Sequence, residues 1–420
     1  MKLSKIYIRK YTIEESLIFM TALLLPLHKN ISTWFLVGSA IYCFYLYTKS
    51  KSEFKIKNLV WLGIIPMTLI VIKLVGLINA RDISKGIEEV VRYFPFLLLP
   101  LSMVVLAKRS ERLDQIIFKA LVLGCVIAIT ICWINAIQAV VRNNEPLSNL
   151  LAWKRSNIYL TRILDIHPPY LGFIIIIAIS FLVKYYLLGK KAKELANSKR
   201  ILIYAVIFFF ILFLFHLVSR NSIILLILLS IGFTLFFKKK RFIFISTAVI
   251  MLFAAVIYVH PSKYLQRKYV KMLNLTDDEL GDKRFSRLIA SWNIFLEHPI
   301  IGAGSTTDDI LRLEQYNKMD DQIAYAKNLN AHNQYAEYLA STGLIGLSIF
   351  ITVIVVFLRY TIISQHYFYT VLLLSFLFSC LTESMLEREL GIKIFSLILS
   401  LCVYHYIRDQ KLINKPLFEK

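Results

Sequence analysis

His332 and Asn333 stand where a polar part of the chain turns apolar. The stretch reads NAHNQYAEYLASTGLIGL over residues 330–347 and contains two glycines three residues apart, Gly343 and Gly346. An imidazole, with a pKa of about 6.5, accepts a proton near neutral pH. The pattern is compatible with an interfacial or helix-capping histidine, and equally with a general base held at the depth of a membrane surface.

Three arginines are candidate anion-binding groups. Arg220, preceded by Ser219, is almost the only polar break between two strongly apolar segments, and Arg284 and Arg287 lie in a long polar loop. A guanidinium stays charged at any relevant pH and offers paired donors to phosphate oxygens. Each also has a structural interpretation, Arg220 as a turn residue reaching the membrane interface, and the loop arginines as partners of the acidic residues at 277–282.

The segment HPPY, residues 167–170, begins another apolar stretch. Proline is tolerated in the first turn of a helix, so the pair predicts a helix start. His167 and Tyr170 flank the prolines and are candidate substrate-binding residues, because the predicted topology brings them to the same side of the membrane as His332.

The elements that must position these residues are membrane-spanning helices. Apolar residues make up 57% of the 420 residues and charged residues only 18%, which leaves too little polar surface for a soluble protein of this size. Apolar runs of about 18–20 residues can cross a bilayer as helices. The sequence therefore predicts an all-α integral membrane protein with about twelve transmembrane helices. The predicted segments are 14–28, 31–48, 59–78, 92–107, 115–141, 167–184, 201–218, 221–237, 242–259, 333–358, 367–381 and 394–407.

The charge distribution predicts which ends of these helices face the cytoplasm. The formal net charge is +22, and the N-terminus is basic. With that terminus in the cytoplasm, the cytoplasmic segments hold 26 Lys/Arg against 8 Asp/Glu, whereas the opposite side holds 21 against 19. This is the positive-inside pattern of a membrane protein, and it leaves no basic face for nucleic acid. Both termini are therefore predicted in the cytoplasm.

A polar loop at 260–332 joins the ninth and tenth predicted spans on the outer side. Its charges are balanced, and it contains a helical pattern at 286–299, a Gly-Ala-Gly turn at 302–304 and a second helical pattern at 306–316. We expect a folded, partly helical cap. The chain shows no long linker and no clear internal repeat, so residues 1–420 are predicted to form one polytopic membrane domain.

The cysteines and acidic pairs predict no metal site. All the cysteines fall inside apolar segments and are interpreted as small buried side chains without disulfides. The acidic pairs at 277–278, 308–309 and 320–321 suit helix starts or solvated faces.

Residues 332–346 resemble the signature of the O-antigen ligase and O-antigen polymerase superfamily of bacterial membrane glycosyltransferases. That signature is a His followed by Asn, Ser or Gln, about nine residues, then Gly and a second small residue; His332, Asn333, Gly343 and Gly346 match it.

Two further motifs are similar to those of the family. Ser219-Arg220 matches its Ser-Arg pair at an outer helix junction, although Asn221 follows where glycine is common. Arg287, Trp292, Pro299 and the 302–304 turn match its Arg-Trp helix, proline and Gly-x-Gly turn. The Arg-to-Trp spacing is often one residue shorter, which leaves open whether Arg284 or Arg287 is the functional arginine.

The resemblance implies a GT-C-like, all-helical glycosyltransferase that acts at the periplasmic face of the bacterial inner membrane. It implies metal-independent, inverting transfer of a glycan from undecaprenyl diphosphate, with no cofactor. His332 would be the catalytic base, and Arg220 and Arg287 would stabilise the diphosphate. Asn333, Arg284, Ser219, His167 and Tyr170 would contact substrate.

The acceptor is predicted to be the lipid A core, as in a ligase. The alternatives are another glycan repeat unit, as in a polymerase, or a protein hydroxyl. A lipid-linked sugar flippase is the competing class. It is less favoured because transporters show repeats and ionisable groups at mid-membrane, whereas the polar groups here gather on one side.

Overall fold

The computed structural model describes residues 11–49, 60–189, 195–237 and 284–413, and every regular element within these ranges is helical. The α-helices are α1 Ile13–Leu24, α2 Lys29–Lys49, α3 Val60–Ile64, α4 Thr68–Gly76, α5 Ile83–Arg92, α6 Pro95–Arg109, α7 Leu113–Arg142, α8 Ile158–Thr161, α9 Pro168–Leu182, α10 Asn197–Leu217, α11 Arg220–Phe237, α12 Arg284–Glu297, α13 Thr307–Lys318, α14 Gln322–Ala326, α15 Gln334–Ile363, α16 Tyr367–Thr382 and α17 Glu389–Ile413. Short 3-10 helices cover Ile65–Met67, Leu147–Leu151, Trp153–Arg155, Arg162–Leu164 and Met385–Glu387, and a π-helix covers Val183–Leu188.

The described residues contain 8 helices that are long and apolar enough to cross a membrane. Two shorter apolar helices, Leu62–Gly76 and Tyr367–Thr382, accompany them, and α1 has only 12 residues. The ninth predicted span, 242–259, lies outside the described residues. The prediction of an all-helical, multi-pass membrane protein is confirmed, whereas the number of twelve spans stays a prediction.

The helix α9 forms the centre of the bundle. All of its residues are buried, whereas α10 leaves large apolar side chains such as Ile201 and Phe208 exposed. A helix that is apolar on every side can be buried among other apolar helices, as α9 is, or can face lipid. The cysteines are buried in such helices, as predicted; they are Cys43, Cys125, Cys132, Cys380 and Cys402.

Polar contacts sort the helix ends into two layers, in agreement with the predicted alternation of spans. One layer, here the outer polar layer, contains the pairs Lys29–Asp165, Thr33–Glu389, Lys73–Glu387 and His332–Glu383. The other, the inner polar layer, contains the pairs Arg109–Glu14, Ser110–Glu15, Tyr360–Asp409 and His366–Asp409. The candidate residues His167, Ser219, Arg220 and His332 all belong to helix ends of the outer polar layer.

The described part of the predicted cap, residues 284–332, is folded and packs against the bundle. Helices α12 and α13 confirm the two helical patterns in the loop, while 260–283 lies outside the described residues. Thr306 precedes α13 without capping it, because its hydroxyl accepts a hydrogen bond from the backbone N–H of Asp82 instead.

The turn at 299–304 inserts into a break in α15. The break lies at Gly343, which has φ +61° and ψ −155°. Backbone hydrogen bonds close it: Ala303 N–H donates to Ala340 O, Gly304 N–H to Ser341 O and Leu344 N–H to Pro299 O, each at 2.9 Å. A broken helix is tolerated at membrane depth when protein groups satisfy its freed carbonyls, and this turn does so.

Two glycines of α15 permit two different close approaches. A Cβ on Gly343 would lie 2.5 Å from the carbonyl oxygen of Ile300, so the close neighbour is the backbone of the loop. A Cβ on Gly346 would collide with the side chain of Thr342 in the same helix, and it would lie 3.2 Å from a methyl carbon of Ile72 in α4, as in ordinary small-residue helix packing.

Candidate active site

His332 is held beside a carboxylate at the start of α15. Its Nδ1 lies 3.1 Å from Oε2 of Glu383, the residue that follows α16. The His332 side chain is 20% exposed and that of Glu383 10%. His332 adopts a left-handed φ of +49°, which turns the chain just before the helix begins. The pair is therefore partly shielded from water, yet the imidazole remains accessible.

Glu383 is not among the candidate residues that the sequence provides, yet it is 8% exposed and faces His332. The two residues are 51 positions apart, so no local pattern links them.

Asn333 begins α15 as its N-cap. Its side-chain oxygen accepts a hydrogen bond from Ala336 N–H at 3.0 Å, as short polar side chains commonly do at this position. Its amide nitrogen donates to Leu381 O at 3.1 Å, near the end of α16. Asn333 thus holds together the two helix ends that carry His332 and Glu383, while its contact with substrate stays a prediction.

A buried ionic cluster fixes the turn that carries His332. Glu337 in the first turn of α15 accepts hydrogen bonds from Ala331 N–H at 2.5 Å and Ser384 Oγ at 3.0 Å. Arg312 of α13 donates to Glu337 at 2.7 Å and to Asp308 at 2.8 Å.

Charges buried in this way persist only when paired, because removal of one partner leaves an uncompensated charge. The cluster therefore couples the loop helix α13 to both residues of the His332–Glu383 pair. Sequence reasoning missed Arg312, since its spacing from the acidic residues at 308–309 is also that of ordinary surface pairs on a helix.

His167 and Tyr170 come to the same place from α9. Tyr170 donates to Ser384 O at 3.1 Å, and the two ring centroids lie 6.2 Å apart. Burial lowers the pKa of His167 to about 4, against an opposing attraction from Glu383. His332 is also close enough to lower the pKa of His167 electrostatically. His167 is therefore neutral at physiological pH, and its buried Nδ1 has no partner among the described residues.

Arg220 reaches the level of the His332–Glu383 pair through the packing of α11 on α16. These helices run antiparallel, with Gly232 against Val371 and Phe236 stacked on Tyr367, at 5.4 Å between centroids. The two contacts share one register, because a step of four residues forward along α11 corresponds to a step of four residues back along α16. Both helices rise by 1.5 Å per residue, so the same register can be followed to their ends. The same register sets Arg220 at the level of Glu383, which directly follows α16.

The guanidinium of Arg220 is available to a ligand. It is half-buried, and it makes no hydrogen bond or ion pair with any residue that the structure describes. Ser219 beside it is buried, and its hydroxyl accepts a hydrogen bond from Ser222 N–H at 3.4 Å. The predicted junction between α10 and α11 is confirmed, with α10 ending at Leu217 and α11 beginning at Arg220.

The loop arginines occupy a different part of the site. Arg287 is 4% exposed on α12 and lies close enough to Tyr316 of α13 to lower the pKa of that phenol, although burial raises it overall. Arg284 begins α12, and its side chain lies outside the described residues. Which of the two acts on a substrate stays open.

The site thus combines an imidazole paired with a carboxylate, a guanidinium that has no partner in the described part of the chain, and a neutral second imidazole. The first pair can accept a proton, with Glu383 stabilising the imidazolium that forms. The guanidinium can bind an anion such as a phosphate. All lie at the ends of apolar helices, where a lipid headgroup would meet them.

Comparison with known proteins identifies the family of this segment. Residues 203–351 match the family model described as O-antigen ligase. The match includes Ser219-Arg220, Arg287, the 302–304 turn, and the segment from His332 to Gly346. The comparison with curated proteins gave no match. The resemblance to the O-antigen ligase superfamily is confirmed: residues 203–351 match its family model and lie within a multi-pass, all-helical membrane protein.

Proposed function

We propose that the protein transfers a glycan from undecaprenyl diphosphate to the lipid A core, at the periplasmic face of the bacterial inner membrane. The observation that carries this proposal is the position of the His332–Glu383 pair at the level of Arg220, with His332 and Arg220 both inside the segment that matches the O-antigen ligase family model. Glycan transfer from a lipid-linked sugar diphosphate requires a base and an anion-binding group at the same depth.

His332 acts as the general base. Because its Nδ1 faces Glu383, the Nδ1–H tautomer leaves the Nε2 lone pair for the hydroxyl of the acceptor. As that hydroxyl attacks the anomeric carbon, its proton passes to Nε2, and the carboxylate of Glu383 stabilises the resulting imidazolium.

Arg220 stabilises the leaving group. The bond between the anomeric carbon and the diphosphate oxygen breaks as the new glycosidic bond forms, so negative charge grows on the diphosphate. A fixed guanidinium in a water-poor site stabilises that charge without a metal ion. Direct attack gives inversion at the anomeric carbon. One of the cap arginines, Arg284 or Arg287, holds the same diphosphate, as the family resemblance implies.

The orientation of the site follows from lipid chemistry and charge. The polyprenyl tail lies among the apolar helices and the diphosphate stays at the boundary, where the polar start of α15 is found. The excess of Lys/Arg at the opposite helix ends supports a periplasmic outer polar layer.

The product of the purified protein tests the proposal. The protein is reconstituted with an undecaprenyl diphosphate-linked glycan and lipopolysaccharide that carries only the lipid A core. We expect glycan joined to the core and release of undecaprenyl diphosphate. A lengthened carrier-linked chain would indicate a polymerase and a glycosylated protein a protein transferase. Passage of intact donor between leaflets without transfer would indicate a flippase.

A further inference from the structure

Asn221, in the first turn of α11, carries a buried carboxamide that makes no hydrogen bond to any residue the structure describes. The residue is 4% exposed, and neither Oδ1 nor Nδ2 has a partner among the described residues. Ser222 beside it is fully buried, and its hydroxyl also lacks a partner there. Buried polar groups are normally hydrogen-bonded, so a group left unpaired needs an explanation.

The position of Asn221 points to a ligand. The register of α11 on α16 sets Asn221 opposite Thr382, one step below the level of Arg220 and Glu383. Gly232 contacts α16 and lies 11 residues along α11 from Asn221. Eleven residues are close to three whole turns of an α-helix, so the two residues lie on the same helix face to within about 20°. The carboxamide therefore faces the end of α16.

On its other side the first turn of α11 meets α9. Ser222 packs so closely against Gly172 that a Cβ on the glycine would collide with its hydroxyl. His167, whose Nδ1 is also without a described partner, lies five residues from Gly172 towards the outer polar layer. This amide, this hydroxyl and this imidazole, none of them paired with a described residue, therefore lie at the ends of α9, α11 and α16.

We propose that the Asn221 carboxamide binds the sugar attached to the carrier diphosphate, through two adjacent ring hydroxyls. This inference rests on the proposed function, because Arg220, the preceding residue, holds the diphosphate. One hydroxyl accepts from Nδ2–H and its neighbour donates to Oδ1, which satisfies both amide atoms at once. A secondary acetamido group presents its N–H and C=O on opposite sides and satisfies only one of them.

Competition kinetics test the inference with the full-length protein. The competitors of native-donor transfer are undecaprenyl diphosphate glucose and its analogues lacking the 2-, 3- or 4-hydroxyl. For the wild type, two of the analogues should each lack one of the two hydroxyls that Asn221 binds. We expect their inhibition constants to be about tenfold or more higher than that of the glucose compound, because a site built to bind a hydroxyl rejects a ligand without it. Asn221→Ala should bind all four compounds within about twofold of one another.

A matched variant and a stability measurement separate binding from packing. Ser230→Ala removes a hydroxyl on the same helix that donates only to Leu226 O at 2.9 Å, and it should discriminate as the wild type does. The thermal midpoint of Asn221→Ala without donor should equal or exceed that of the wild type, since an unpaired amide is lost. A fall of several degrees would assign Asn221 a packing role and overturn the inference.

The remaining outcomes separate this inference from the proposed function. Discrimination among the analogues that persists in active Asn221→Ala would overturn the sugar contact alone, as would equal inhibition by all four compounds in the wild type. Absence of any glycan transfer by the wild type would overturn the proposed function, and the sugar contact with it.

Discussion

The outer and inner polar layers each hold a histidine beside a carboxylate. In the outer layer His332 Nδ1 lies 3.1 Å from Glu383, and in the inner layer His366 Nε2 lies 2.9 Å from Asp409. The two imidazoles have similar exposure, 20% and 24%. Both also precede an apolar segment in the sequence. The chemistry of the pair therefore does not distinguish the two regions.

Their surroundings differ. In the inner layer the same oxygen of Asp409 also accepts from Tyr360 at 3.0 Å, and the ring of His405 lies 4.9 Å from that of His366, with its own bond to Tyr369.

In the outer layer, by contrast, the Arg220 guanidinium, the His167 Nδ1 and the Asn221 amide have no partner among the described residues. A histidine–carboxylate pair enclosed by protein partners is a structural contact, whereas one surrounded by unused polar groups is equipped to bind and transform a ligand.

The largest expected effect separates the two histidines. His332→Ala removes the base and should lower glycan transfer by about 10²–10⁴-fold. His366→Ala, the matched change in the inner layer, should leave the rate within about threefold of the wild type. Initial rates of the purified variants, at equal folded protein, measure both. Equal losses in the two variants would erase the functional distinction between the layers.

The next effect compares Arg220, the first residue of α11, with Arg408, which lies in the last turns of α17. Arg220→Lys keeps the charge but loses the paired donors, and we expect kcat/KM for the lipid-linked donor to fall about 10–100-fold. Arg408→Lys alters an inner arginine that lies 3.7 Å from Glu111, and it should have little effect. Steady-state kinetics over a range of donor concentrations measures both changes. Wild-type kinetics for Arg220→Lys would remove the diphosphate role.

A smaller effect is expected from the two carboxylates. Glu383→Gln keeps the shape of the side chain but no longer stabilises an imidazolium, so kcat should fall about tenfold or more while donor KM changes little. Asp409→Asn is the inner-layer control and should retain wild-type kcat. If the two substitutions had the same consequence, Glu383 would be a structural partner only.

The smallest effect is on stability against pH. The folded-state pKa of His167 is lowered to about 4 from an ordinary value of about 6.5. Between about pH 4 and 6.5 the unfolded chain therefore binds more protons at this residue than the folded protein does. The stability that this group contributes is fully present above about pH 6.5 and is lost as the pH falls towards 4.

For this group the loss amounts to about 2 kcal/mol at pH 5. Thermal unfolding of the detergent-solubilised protein at pH 7.5 and pH 5 should show His167→Gln losing less stability than the wild type. His298→Gln, at an exposed histidine of the cap, serves as the control and should lose as much as the wild type. An identical acid sensitivity in His167→Gln would mean that His167 is not buried as a neutral ring.

The sequence by itself determined the membrane class, the alternation of helix ends and the placement of His332 at the start of an apolar helix. These follow from local properties, because a bilayer admits only segments whose backbone hydrogen bonds are satisfied internally. The short helices of the cap were also predictable, because amphipathic spacing and capping residues are local signals.

Only the tertiary structure decided which polar groups meet. Glu383 pairs with His332 across 51 residues, and Arg312 reaches Glu337 across 25. The loop turn that enters the break at Gly343 comes from about 40 residues away. In the sequence, His332 and His366 each directly precede an apolar segment. The packing of α9, α11 and α16 makes them different, because burial and pairing depend on which distant helix ends are brought into contact.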